Sequence, residues 1–212
     1  MINMLQKKIK YLSIIMLLMM TASANAEQNP IRQLKSFLAS TSSLTADFKQ
    51  ITLNESGQPD QISEGQFYLS RPGKFRWSYK TPFIQEIVSS AGKVWFYDAD
   101  LEQVTIKKLD DSLGSTPALL LSGEIELEQN FILKPQGVDQ DLMWIKLLPK
   151  NEDSGFKYIL IGLKDGVLGG MELSDNFGQL TRIYFTKVKI NPQLNNSIFE
   201  FKAPAGVDVF EN

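Results

Sequence analysis

Apolar residues recur first with a period of three to four and then with a period of two. Over residues 30–44, Ile31, Leu34, Phe37, Leu38 and Leu44 fall on one stripe at helical spacing, and Pro30 sits where a first helical turn tolerates it. One amphipathic helix is predicted there. From Thr45 onward Ala46/Phe48, Phe67/Leu69, Phe75/Trp77/Tyr79, Ile87/Ser89, Trp95/Tyr97 and Val104/Ile106 alternate with polar or outward residues, the pattern of strands. Turn-forming residues separate them at Glu55-Ser56-Gly57, Arg71-Pro72-Gly73, Lys80-Thr81-Pro82, Ala91-Gly92 and Asp98-Ala99-Asp100. Such short intervals favour antiparallel hairpins over parallel strands joined by helical crossovers. The second half repeats the theme over 131–134, 143–148, 156–163, 167–173, 180–190 and 198–201. The total is about ten or eleven strands, and a sheet that wide must curl.

One segment interrupts the meander. In Ser115-Thr116-Pro117-Ala118-Leu119-Leu120-Leu121-Ser122-Gly123 a Ser/Thr cap, a first-turn proline and a closing glycine bracket a helix of about two turns. Three consecutive leucines cannot share one narrow face, so at least one is expected to point away from what the others cover, as in a lid or a contact surface. One long helix and one short one are little to cover an aromatic-rich sheet face, and an under-filled apolar interior is expected.

The first residues change the compartment. Lys7, Lys8 and Lys10 precede an apolar run from Tyr11 to Met20 and then Ala24-Asn25-Ala26. This is the pattern of a secretory signal peptide cleaved after Ala26, with an apolar core short of the roughly 20 residues a membrane span needs. Two regions are therefore expected, a signal peptide over 1–26 and a single domain over 27–212. Residues 1–26 hold three lysines and no acid, which leaves 19 basic against 24 acidic residues and a net charge of −5. Nucleic acid is a poor partner for such a chain. With no cysteine the fold stands without disulfides in an oxidising compartment and the chain is not itself lipidated on a leading Cys. With no histidine it lacks the usual general base and the commonest metal ligand, so no enzyme, cofactor or metal is expected.

The remaining signals are spread in order along the chain. They are the Arg71-Pro72-Gly73 turn, the Phe75-Arg76-Trp77 strand, Pro82 and Gln85, Gly92-Lys93-x-Trp95-x-Tyr97-Asp98, Leu101-Glu102-Gln103-Val104, Thr116-Pro117-x-x-Leu120-Leu121 and Pro204-x-Gly206-Val207-Asp208-Val209. Together they closely resemble the LolA family of lipoprotein carriers. The resemblance implies a mainly β fold, an incomplete, half-open antiparallel β-barrel with short helices forming a lid over an apolar cavity. It implies a periplasmic carrier that takes the acyl chains of lipoproteins from an inner-membrane ABC transporter and passes them to an outer-membrane receptor of the LolB kind. In the family the matching arginine bonds lid carbonyls and holds the lid shut, which assigns that role to Arg71. Five donors in a planar fork suit the unpaired carbonyls of a helix end. The cavity is expected to be lined by Phe67, Leu69, Phe75, Trp77, Trp95 and Tyr97, with Pro117, Leu119, Leu120 and Leu121 as the lid. For Trp95 and Tyr97 the face stays open, because a bulge would shift the register.

Other readings compete. Asp98, Asp100 and Glu102 alternate as metal ligands could, but the glycine and the loop length of a calcium-binding hand are missing, and a solvated hairpin explains them. Ser154-x-x-Lys157 matches a nucleophile pattern without its companion motifs. A carrier or sensor of another hydrophobic ligand, a lipid or glycolipid, on the same half-barrel is the alternative function.

Overall fold

The computed structural model describes residues 29–54, 56–109, 118–151 and 154–211. The signal peptide and Pro117 lie outside the described residues. Helix α1 (Pro30–Ser40) comes first. Asn29 caps it, its Oδ1 accepting from Ile31 N and Arg32 N at 3.1 and 3.2 Å. Two donors that a helix start leaves unpaired are satisfied in this way, and Pro30 has none to lose. The helix ends before the Thr41-Ser42-Ser43 run, whose hydroxyl side chains favour non-helical backbone. Leu44 therefore does not belong to the helical stripe; it is buried from the first strand instead.

Twelve strands form one sheet: β1 (Ser43–Leu53), β2 (Pro59–Ser70), β3 (Lys74–Thr81), β4 (Gln85–Ser90), β5 (Lys93–Asp98), β6 (Gln103–Lys108), β7 (Phe131–Asp139), β8 (Leu142–Pro149), β9 (Phe156–Lys164), β10 (Val167–Asp175), β11 (Leu180–Ile190) and β12 (Asp208–Glu211). Among the described residues, two short helices, α2 (Ala118–Leu121) and α3 (Leu127–Asn130), lie between β6 and β7, and a 3-10 turn at Asn196–Phe199 precedes β12. The order is β12-β6-β5-β4-β3-β2-β1-β11-β10-β9-β8-β7, so β1 is central and the sheet keeps two open edges. The neighbours are antiparallel as expected, except that β12 runs parallel to β6. That four-residue strand follows the Pro204-x-Gly206-Val207 motif, whereas residues 198–201, expected as a strand, lie instead at the end of the 3-10 turn and beyond it.

The sheet curls strongly. Trp77 on β3 and Phe185 on β11 are three strands apart, about 14 Å on a flat sheet, yet their rings lie 5.9 Å apart. Gly65 of β2, opposite both Phe48 and Tyr79, is one cause. A Cβ there would lie 2.0 Å from the Ser78 carbonyl and 2.8 Å from the Phe48 ring. Its absence lets Phe48 fold across β2 onto Trp77 and Tyr79, at 5.0 and 5.1 Å. The concave side holds one buried cluster from both halves of the chain. The two edges of the sheet are not symmetric: β7 bears Lys134, Pro135 and a register shift before Gly137, features that discourage pairing with another molecule.

Candidate functional site on the concave face

Phe67, Leu69, Phe75 and Trp77 project from β2 and β3 onto the concave face and are at most 2 % exposed. Register extends this face outward, since Phe75 is opposite Ser89 and Val94 while Trp77 is opposite Ile87 and Phe96. The rings form a contiguous floor: Trp77 lies 4.7 Å from Phe67, and Phe67 lies 6.0 Å from Phe185. Burial pushes the Tyr79 phenol far above its ordinary pKa, and its hydroxyl donates to Gln50 Oε1 at 3.0 Å. It stays neutral.

Trp95 and Tyr97 are a correction. They share a face with Arg76, Ser78, Glu86 and Val88, opposite to Phe75 and Trp77. Both alternating sets of β5 are apolar, so the pattern alone does not set the phase; the convex side is apolar here because the C-terminal segment covers it. Phe201 packs on Tyr97 at 5.8 Å, Phe199 is buried, and Arg76 Nη1 donates to Ile198 O at 2.8 Å while pairing with Glu86. A groove of about 510 Å³ beside this segment mixes the charged groups Arg76, Lys80 and Glu86 with the apolar Tyr79, Ile84 and Ile198.

Leu119, Leu120 and Leu121 of α2 join the concave cluster, and none is more than 2 % exposed. The expectation that one of them faces solvent is not met. A one-turn helix set down inside the mouth has no outer face. It is tied to the rim through polar groups: Gly73 N donates to Ser122 O at 3.1 Å.

Arg71, in the β2–β3 turn, reaches both covers. Nε donates to Leu121 O of α2 at 2.8 Å, and Nη1 donates to Thr41 O at 2.9 Å and to Leu38 O near the end of α1. Its own N–H donates to Ser42 O at 2.8 Å. Burial lowers the guanidinium pKa from its ordinary value, but arginine remains charged in proteins. Gly123 makes room for it: with φ +82 it suits the turn, and a Cβ would stand 3.1 Å from the Arg71 side chain.

Asn191 was not legible as a site residue. At φ +54 beyond β11, its Oδ1 accepts from Ser42 N and Oγ and from Ser43 N at 2.8–3.3 Å, and its Nδ2 donates to Ser40 O at 3.0 Å. It ties the end of α1 to the sheet from the side opposite Arg71. The one signal for it in the sequence is a polar residue directly before Pro192 at a strand end.

The family described as outer membrane lipoprotein carrier protein LolA matches residues 39–202. The outer-membrane lipoprotein carrier protein of Methylococcus capsulatus is 58% identical over 203 residues, covering 96% of this chain and 98% of that one. The protein of the same description from Methylobacillus flagellatus is 44% identical over 179 residues, covering 84% and 87%. Among solved structures, an uncharacterized conserved protein from Thermus thermophilus superposes with a TM-score of 0.53 at 15% identity, over 86% of this chain and 96% of that one, which bears on the fold alone. A match from the end of α1 to beyond β11, together with relatives similar along nearly their whole length, shows that the chain belongs to the LolA family of periplasmic outer membrane lipoprotein carrier proteins.

Proposed function

We propose that this chain, starting at Glu27 after cleavage behind Ala26 and acting as a single monomeric domain, holds the acyl chains of lipoproteins on its aromatic floor. It receives them from an inner-membrane lipoprotein-releasing ABC transporter and yields them to a LolB-like outer-membrane receptor. The observation that carries this reading is the burial of Leu119–Leu121 against that floor in a short segment held by the bonds of Arg71 Nε to Leu121 O and of Gly73 N to Ser122 O. Apolar side chains that fill a mouth in the closed form can be exchanged for apolar ligand in the open one.

Magnitudes decide what opens the lid. Displacing three leucines costs about 1.5–3 kcal/mol each, and the charged bonds of Arg71 add ~1.5–3 kcal/mol. At ~0.8 kcal/mol per buried methylene this is on the order of ten methylenes. Long acyl chains can offset it and short ones cannot, and the near balance lets a receptor of higher affinity take the cargo without an energy source. Arg71 is the latch of the closed form. Native mass spectrometry of protein purified from periplasm should find lipoprotein bound. Recovery of free lipid or glycolipid in its place would replace this reading with the alternative.

A further inference from the structure

Several buried donors in the lid-covered compartment lack an acceptor. Trp77 is 2 % exposed on the aromatic floor, and its Nε1 has no hydrogen-bond partner among the described residues. Thr41, equally buried at the α1–β1 junction, has an unpartnered Oγ1, and so does the adjacent Arg71 at Nη2. Buried polar groups are nearly always paired, and exceptions require a reason. The only other buried side-chain atom of this kind among the described residues, Glu86 Oε2, lies on the convex side against Arg76. A compartment for hydrocarbon alone would be served as well by Phe at position 77 and Val at position 41, which fill similar space and carry no donor to leave unpaired. What the compartment lacks is an acceptor.

We propose that Trp77 Nε1 and Thr41 Oγ1 donate to the carbonyl oxygens of bound acyl groups, so that the carrier selects ester- or amide-linked acyl chains over ether-linked alkyl chains of the same length. This rests on the carrier reading, because the lid must open to admit them. Thr41 lies at the rim beside Arg71 and Trp77 lies beyond Phe75 along β3, so the two donors meet carbonyls at different depths. A site built to donate discriminates strongly against an analogue without the acceptor, because its own donors are then left unpaired.

The test is displacement of an apolar fluorophore by a soluble diacylglycerol and by its dialkyl-ether analogue of equal chain length. The wild type should prefer the ester by about tenfold. The ester-to-ether ratio should fall to about threefold in Trp77→Phe or Thr41→Val and to about one in the double variant. Phe67→Leu alters packing without touching a donor; it should weaken both probes and keep the ratio. With a carbon-13 carbonyl label, the ester stretch should move to lower frequency when bound to wild type and not when bound to the double variant. A diacylated lipopeptide added as a third probe names the source of the carbonyl: tighter binding than the glyceride assigns a lipoprotein terminus, equal binding assigns the glyceryl ester they share, and both support the donors. Equal ester and ether affinity in wild type, or a ratio unchanged in both single variants, would overturn the proposal. If wild type binds neither fluorophore nor lipid, the carrier reading itself fails, a result distinct from equal binding of both.

Discussion

The concave face has two floors with different covers. Over β8–β10 the floor is aliphatic, built from Ile145, Leu147, Ile159, Ile161, Leu163 and Met171, and α1 rests on it through Leu34 and Phe37. Over β1–β5 with Phe185 it is aromatic, and the cover beside it is the short helix α2, bonded to the β2–β3 turn. Helix α1 has eleven residues, a capped start and an end held by Asn191; α2 has four residues and is held by a few polar bonds. Under the proposed carrier reading, the same curved sheet pairs a permanent core with a removable one. Stability resides in the first, and the proposed function resides in the second.

That contrast can be broken by measurement. Ile161→Ala should cost about 2–5 kcal/mol in chemical denaturation, as core truncations do, with little change in acyl affinity at temperatures where the variant is folded. A large loss of affinity at unchanged stability would move the binding floor to the aliphatic side. Leu120→Ala should also lower stability, by ~2 kcal/mol because it weakens the closed ground state, but unlike Ile161→Ala it should raise apparent acyl affinity about 30-fold. Arg71→Leu removes the proposed latch, so loading should persist and release should slow, by about tenfold for each 1.4 kcal/mol of closed-state stability lost. Arg71→Lys should restore transfer only in part, since a point charge does not span several carbonyls. Normal transfer by Arg71→Leu to purified outer-membrane receptor would leave this residue a structural tie alone. The smallest effect is expected of Lys35→Ala. Its bridge to Glu128 at 2.7 Å is half exposed on both sides, and its loss should cost at most ~1 kcal/mol and fade in high salt.

The aromatic floor was readable because Phe67/Leu69 and Phe75/Trp77/Tyr79 each alternate with residues too polar to face a core. Strand β5 was not, because Val94/Phe96 and Trp95/Tyr97 are equally apolar. The choice between them depends on a C-terminal segment that crosses the convex side with no periodicity of its own. Leu44 fitted both a helical stripe and a strand, and the hydroxyl run at 41–43 decided against the helix. The reach of Arg71 to Leu38, Thr41 and Leu121 joins residues 30 to 50 positions apart. Spacing could not supply it; the family resemblance pointed to lid carbonyls such as Leu121 O but not to Leu38 O and Thr41 O at the end of α1. The parallel pairing of β12 left no mark either, because a four-residue exposed strand needs no alternation.

The central place of β1 bears on how the chain comes to be folded. Leu44 pairs with Ile190, so the first strand completes its ladder only with nearly the last one. During synthesis, N-terminus first, β1 to β6 can pair with one another, but β1 keeps a free side and the cluster lacks the residues of β8–β11. Pairings this distant are slow to form, since a long loop must close before any contact rewards it. A chain built in this way acquires its final shape only once its C-terminal strands are available.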